Sequence, residues 1–391
     1  MPEKNLNALR SGDKLFNSLC LIVLNRCNLK CLYCYEKHDL RSKKRMELSV
    51  AKDAITEFME KDDGYDGVEI EFFGGEPFLE FSFIKEVVEW FHTIKWKKLH
   101  QFLIGTNGTI LNDEIKDWLI KYKKCLGVAF SFDGTKKAHD LCRDNSYDIV
   151  FKNIQFFREN WPNQPAKMTI CADTIPYVAE SVIELEEMGL LFTANLGFEN
   201  FWDSDENKDR LLKVYEEQLS ILVDYYAKNP KLYPVSPLLN AVPDYLGLPN
   251  SLESIKKDAK RFCGAGHGMT AIDIDGTRYP CHRFVPWVTG RPAPGEPANC
   301  QEAWTPDKCF NCKLILSCPT CAGYNWEVNS DTGMRTIFHC EFYKIEVLAS
   351  CKLHAIRLSE RLSEFNRLSL KEKKQIKVRY EALMDMINNG I

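Results

Sequence analysis

The run Leu19-Cys20-Leu21-Ile22-Val23-Leu24-Asn25-Arg26-Cys27-Asn28-Leu29-Lys30-Cys31-Leu32-Tyr33-Cys34 decides the fold. Its first six residues are apolar without a break, which reads as a strand buried on both faces. The strand opens directly into a short loop carrying three cysteines spaced C-x3-C-x2-C.

The pattern that follows alternates strand and helix from residue 18 to about 228. Strands are expected at Ser18–Asn25, Gly67–Phe73, Leu99–Gly105, Cys125–Ser131, Ala166–Cys171 and Leu190–Gly197. Helices are expected at Ser49–Lys61, Phe81–Ile94, Asn112–Tyr122, Tyr147–Asn160, Pro176–Met188 and Glu206–Tyr226, with Ser49 and Asn112 as N-caps. Six strands, each followed by a helix, predict a parallel sheet with right-handed crossovers. The fold class is therefore α/β, an open, partial six-strand βα barrel of TIM-like kind. Functional groups are expected at the C-terminal ends of its strands.

Prolines at 230, 234, 237, 243 and 249 break the rhythm, so 229–262 reads as a linker or bridging segment. Residues 263–345 are rich in cysteine and poor in periodic runs, the mark of a small unit with metal as its core. Residues 346–391 read as helices, and 1–17 as a polar lead-in.

With 391 residues, the chain is long enough for one large domain and a smaller one. A net charge of −4 gives no basic field for nucleic acid. No apolar run approaches the ~18 residues of a membrane span, and residues 1–14 lack an apolar signal core, so a cytoplasmic protein is expected. In a reducing compartment, 16 cysteines point to metal ligands rather than disulfides. Cys20, Cys125 and Cys171 read as small core residues, and Cys142 and Cys351 lack a ligand-like neighbour in sequence.

Three thiolates on one loop can hold three irons of a [4Fe–4S] cluster and leave the fourth open. Zinc is the alternative, although it usually takes paired C-x2-C knuckles and four ligands. Cys27, Cys31 and Cys34, with Tyr33 before the last, resemble the cluster loop of the radical S-adenosylmethionine (SAM) superfamily. Gly74-Gly75-Glu76-Pro77, after the second strand, is similar to the segment that binds the SAM amino group there; an ordinary strand-to-helix turn is the other reading. Asn107, Ser131 and Asp133 stand at the ends of the third and fourth strands, where related segments contact SAM or where Asn-Gly and Asp-Gly simply turn. Arg143 is a candidate fork for the SAM carboxylate, or else a surface ion pair. The resemblance implies reductive cleavage of SAM to a 5′-deoxyadenosyl radical that abstracts hydrogen from a substrate.

The C-terminal half reads Cys263-x12-Gly276-x4-Cys281, then Cys309-x2-Cys312-x5-Cys318-x2-Cys321, then Cys340. This resembles a SPASM domain, the auxiliary-cluster module of peptide-modifying radical SAM enzymes, with the last gap of the central block one residue short. The resemblance implies one auxiliary [4Fe–4S] cluster on Cys309, Cys312, Cys318 and Cys340. It implies another on Cys263, Cys281 and Cys321, with Cys300 or an open position as fourth ligand. Three clusters and SAM are thus the expected cofactors; a zinc ribbon is the alternative for the C-x2-C pairs.

Such enzymes commonly modify ribosomally made peptides, so the expected activity is a radical SAM oxidoreductase that cross-links a precursor peptide. The bond would be a cysteine thioether or a carbon–carbon cyclophane. The alternative is an anaerobic sulfatase-maturating enzyme forming formylglycine. Against it stand His282, where those enzymes carry Asp, and the absence of cysteine from Gly264 to Thr270. His282 is a candidate acid–base group. The expected partners are the peptide and a flavodoxin- or ferredoxin-type reductant; since residues 1–17 are too few for a winged-helix leader domain, leader binding is expected to need a separate leader-recognition protein or another surface.

Overall fold

A computed structural model describes residues 15–36, 44–199, 205–241, 264–292, 309, 312, 314, 317–363 and 369–389. The strands β1 (Phe16–Leu24), β2 (Gly67–Gly74), β3 (Leu99–Thr106) and β4 (Leu126–Phe130) run parallel, each hydrogen-bonded to the next. A second sheet contains β5 (Ala166–Ile170), β6 (Phe192–Leu196) and the two-residue β7 (Ser236–Pro237), also parallel. A bridge from Ser131 to Lys167, and a bond from Phe132 N to Lys167 O at 3.0 Å, carry the order from β4 to β5. The six predicted strands therefore follow one another in an open, unclosed arrangement, each bound placed within about two residues of its expected position.

The crossovers are helices α1 (Leu48–Glu60), α2 (Phe81–Phe91), α3 (Asp113–Tyr122), α4 (Lys136–Cys142), α5 (Tyr147–Asn160), α6 (Val178–Glu187) and α7 (Asp205–Lys228). In α1, Ala51, Ala54, Ile55, Phe58 and Met59 are buried, one stripe at helical spacing. Burying each large apolar side chain contributes roughly 1.5–3 kcal/mol. Asn112 caps α3 as expected, accepting from Ile115 N at 2.9 Å. Ser49 does not cap α1. Met46 N donates to Val23 O, which ties the chain to β1, and the helix starts at Leu48 after Glu47, without a side-chain cap. The seven-residue α4, capped by Thr135, is too short to show periodicity in sequence.

β1 explains its unbroken apolar run. Leu19, Leu21 and Val23 join the main core under the helices. Cys20 and Ile22 face a second core with Tyr279, Cys281, Phe284 and Val288. That second core exists because β8 (Met269–Ile272) pairs parallel with β1, and β9 (Arg278–Tyr279) pairs antiparallel with β8. The cysteine-rich half thus extends the first sheet instead of standing apart from it. The first part of the expected linker also departs from expectation: Val235, Leu238 and Leu239 are buried, and β7 joins the second sheet.

Beyond the 3-10 turn at His282–Phe284 come α8 (Pro286–Thr289), α9 (Ala322–Asn329), α10 (Cys340–Ser363) and α11 (Leu370–Asn389). Helix α10 packs on α7 through Tyr215 and Phe342, with ring centroids 5.7 Å apart. Its opposite side shares a core with Leu383 and Met386 of α11, and Cys351 is buried there as an apolar residue. No helix among the described residues is long and apolar enough to cross a membrane.

Candidate functional site

The loop after β1 lies at the C-terminal ends of β2 and β3. Gly75 N donates to Leu24 O at 3.2 Å, and Glu76 N to Arg26 O at 3.0 Å. A Cβ on Gly75 would stand 2.0 Å from Arg26 O. One on Gly74, whose φ is +122°, would stand 2.3 Å from Leu24 O. These glycines admit the backbone of the cysteine loop itself, a closer reason for them than approach to a ligand. Pro77, buried, starts the short helical turn that follows.

Glu76 is fully buried and locks the two strand ends together. Its Oε1 accepts from Phe78 N (3.1 Å) and Thr106 Oγ1 (2.9 Å), and its Oε2 accepts from Asn107 N (2.7 Å). Burial pushes its pKa up to about 7 against these three donors. Asn107 turns back to the loop: its Nδ2 donates to Asn28 Oδ1 at 2.9 Å and reaches Cys27 Sγ at 3.7 Å.

Cys27, Cys31 and Cys34 form no disulfide, the first being buried and the others half-buried. Cys27 Sγ accepts from Leu29 N at 3.4 Å, and Cys34 N donates to Cys31 O at 3.1 Å, which curls the loop. Burial raises the pKa of all three thiols, Cys27 to about 11. Such thiols stay protonated unless a metal binds and expels the proton. Three soft donors on one loop, with N–H groups aimed at a sulfur, fit three corners of an iron–sulfur cluster.

Asp133 is 1% exposed and sits in a network. Its Oδ2 accepts from Tyr33 Oη (2.6 Å) and Arg143 Nε (2.8 Å), and its Oδ1 accepts from Thr169 N (3.0 Å). The Arg143 guanidinium lies over the Tyr33 ring, 5.1 Å from its centroid. Arg143 therefore forms a buried ion pair rather than a surface one, through Nε, and Tyr33 is held by Asp133 on its hydroxyl and by the guanidinium on its ring. Ser131 lies beside this network, its N bonded to Thr106 O at 3.1 Å. Cys142 has a neighbour after all: its Sγ is 2.8 Å from Cys171 Sγ, both buried beside Tyr33 and Cys31.

The C-terminal cysteines approach the same region. His282 is half-buried and stacks on Phe73 at the end of β2, with centroids 4.3 Å apart. Burial, then Lys167 and Arg283, depress its pKa to about 3, so the ring is neutral at ordinary pH. Arg283 lies over both Tyr35 (4.3 Å) and Tyr324 (5.2 Å) and pairs with Glu199 and Glu327. It thereby joins the residue after Cys34 to helix α9. Sequence reasoning missed Arg283, Tyr35 and Lys167. Adjacency to motif cysteines was the signal for the first two, and a lysine inside an apolar strand was the signal for the third. Cys318 is raised to about 12, by burial first, with Cys340, Cys312 and Cys309 all near enough to add to the shift. Those are the four cysteines expected for one auxiliary cluster. Cys281 adjoins Tyr35 and Cys20, and Cys321 adjoins Arg283. Cys263 and Cys300 lie outside the described residues.

Comparison with known proteins bears on these features. Residues 21–203 match the model of the radical SAM superfamily. The radical SAM cyclopropyl synthase TigE of Paramaledivibacter caminithermalis is 25% identical over 237 residues, 55% of this chain and 49% of that protein. The match thus spans about half that relative's length. A cysteine-type anaerobic sulfatase-maturating enzyme of Clostridium perfringens is 23% identical over 358 residues, 81% of this chain and 91% of that protein. Among solved structures, native anSMEcpe with bound AdoMet gives a TM-score of 0.65 at 17% identity, covering 88% of this chain and 99% of that one. Streptococcus suis SuiB bound to precursor peptide SuiA gives 0.56 at 15%, covering 83% and 76%. These likenesses establish the fold.

Proposed function

We propose, from the match of residues 21–203 to the radical SAM superfamily, that the protein cleaves SAM reductively and directs the resulting radical at a peptide side chain. The observation that carries this reading is the loop of three cysteines outside any disulfide, clasped from below by Gly74, Gly75 and Glu76 and from the side by Asn107. Cys27, Cys31 and Cys34 hold three irons of a [4Fe–4S] cluster. When bound, that cluster and SAM supply the electron transfer and the 5′-deoxyadenosyl radical.

The protein's own residues bind and orient. Glu76 spends its carboxylate oxygens on three donors and its carbonyl on Leu79 N, so the backbone carbonyl groups of Gly74, Gly75 and Pro77 are the acceptors offered to the SAM ammonium. Asp133 is likewise committed to Tyr33, Arg143 and Thr169, and Ser131 is the hydroxyl offered to the ribose. Arg143 and Tyr33 act by fixing the loop. His282, neutral and stacked on Phe73, is no proton donor as an imidazolium and only a weak base; it packs the strand end beside the site.

Cys309, Cys312, Cys318 and Cys340 hold one auxiliary cluster. Cys340 starts α10, where the helix N-terminus favours a thiolate. Cys281 and Cys321, with Cys263 and with Cys300 or an open position, hold a second. The substrate is a ribosomally made peptide and the product a cross-link; a flavodoxin or ferredoxin supplies electrons. The sulfatase-maturating likeness, which covers 91% of that relative, favours formylglycine formation as a second reading.

The experiment is anaerobic incubation of the reduced protein with SAM and either a cysteine-containing sulfatase peptide or a candidate precursor, followed by mass spectrometry. Loss of two hydrogens without a new aldehyde supports cross-linking. An aldehyde-reactive product from the sulfatase peptide supports the second reading. Absence of 5′-deoxyadenosine in every case overturns both.

A further inference from the structure

At the opposite end of the strands, three side chains from separate elements converge. His92 follows α2, His100 lies in β3, and Cys125 immediately precedes β4. One ligand atom from each lies within 4.8 Å of the others, and Cys125 Sγ is 3.7 Å from His92 Nε2. Tetrahedral zinc, with bonds of about 2.0–2.1 Å to nitrogen and 2.3 Å to sulfur, requires a sulfur–nitrogen edge of about 3.6 Å. One edge of the polyhedron is already formed.

The positions are fixed by the fold. Cys125 O accepts from Phe102 N at 2.7 Å, which pins its backbone to β3. The His92 ring stacks on Tyr122 (5.2 Å, 20°), and the His100 ring meets Phe91 edge-on at 4.7 Å. An aromatic cluster accounts for two imidazoles among phenyl rings. The Cys125 thiol, 3.4 Å from Tyr122 O, donates there when no metal is bound and points its sulfur at the two rings. His92 is exposed while His100 and Cys125 are half-buried, so an ion can enter from solvent and retain a water. From His100 to Thr106 is about 20 Å along β3, so this place is separate from the cysteine loop.

We propose that His92, His100 and Cys125 form a binding site for a borderline-soft divalent cation, zinc in the first instance, with a fourth position open to water. Two imidazoles and a thiolate suit zinc and disfavour magnesium or calcium, which take oxygen ligands. Binding transfers the Cys125 thiol proton to solvent and forms one metal–sulfur and two metal–nitrogen bonds. The ion joins α2, β3 and β4 at the end of the barrel remote from the chemistry.

The test uses the protein with its iron–sulfur clusters reconstituted, so that the other ligand cysteines are occupied. It is dialysed against buffered zinc, and zinc and iron per chain are measured for wild type, Cys125→Ser, His100→Gln and His92→Gln. The expected result is one zinc per wild-type chain and at least tenfold weaker binding in each variant, with iron content unchanged. His92 is exposed, so its replacement leaves folding intact even where the other two fail to fold. Absence of bound zinc from wild type, or equal zinc binding in His92→Gln, overturns the proposal.

Discussion

Arg143 Nε donates to Asp133 Oδ2 at 2.8 Å, with both side chains buried. The strand-end aspartate that the sequence offers to a cofactor is thereby also the partner that neutralises a buried guanidinium. Asp133→Ala leaves that charge uncompensated, which costs about 3–5 kcal/mol. Urea denaturation should show this loss for Asp133→Ala and for Arg143→Ala. A loss under about 1 kcal/mol, accompanied by weaker SAM binding, would make Asp133 a ligand group with no anchoring role.

Gly75→Ala places a methyl group against the Arg26 carbonyl and so displaces the cysteine loop. The variant should lose the four irons of one [4Fe–4S] cluster while keeping the auxiliary iron, and its stability should fall by roughly 1–3 kcal/mol. Iron analysis and thermal denaturation after anaerobic reconstitution check both effects. Unchanged iron and stability would show that the loop does not rest on Gly75.

Glu346 on α10 accepts from Tyr215 Oη at 2.8 Å, and burial raises its pKa to about 7. A carboxyl raised in the folded state binds its proton more tightly there than in the unfolded chain. Its stabilising contribution is full below about pH 4.3 and is lost as pH rises through about 7. Glu76, raised to about 7, and Glu36, raised to about 8, have the same sign. Unfolding free energy should therefore fall from pH 5 to pH 8. Glu346→Gln, which keeps an acceptor for Tyr215, should flatten part of that slope. An identical slope in the variant would contradict the assignment.

The strand–helix alternation was legible because each element is long enough to show its period and bury one stripe, as α1 does. The cysteine loop was legible because its three ligands are local. What stayed hidden depends on contacts between distant segments. Nothing in Met269–Ile272 announces that it pairs with Ser18–Leu21. Nothing near Cys142 points to Cys171, nor near His100 to Cys125. Arg283 was passed over because its four partners, Tyr35, Glu199, Tyr324 and Glu327, come from three separate stretches of chain. The glycines of Gly74-Gly75 were recognised as special, but nothing in the sequence showed that the backbone of the cysteine loop lies against them.

The measurement that bears most directly on the account is 5′-deoxyadenosine formation by the reduced, reconstituted protein, compared with a variant in which Cys27, Cys31 and Cys34 are all alanine. The account predicts SAM cleavage by the wild type and none by the variant, whose iron falls from about twelve to about eight per chain, as three [4Fe–4S] clusters less one require. Cleavage by the triple variant, or none by the fully iron-loaded wild type, would contradict it.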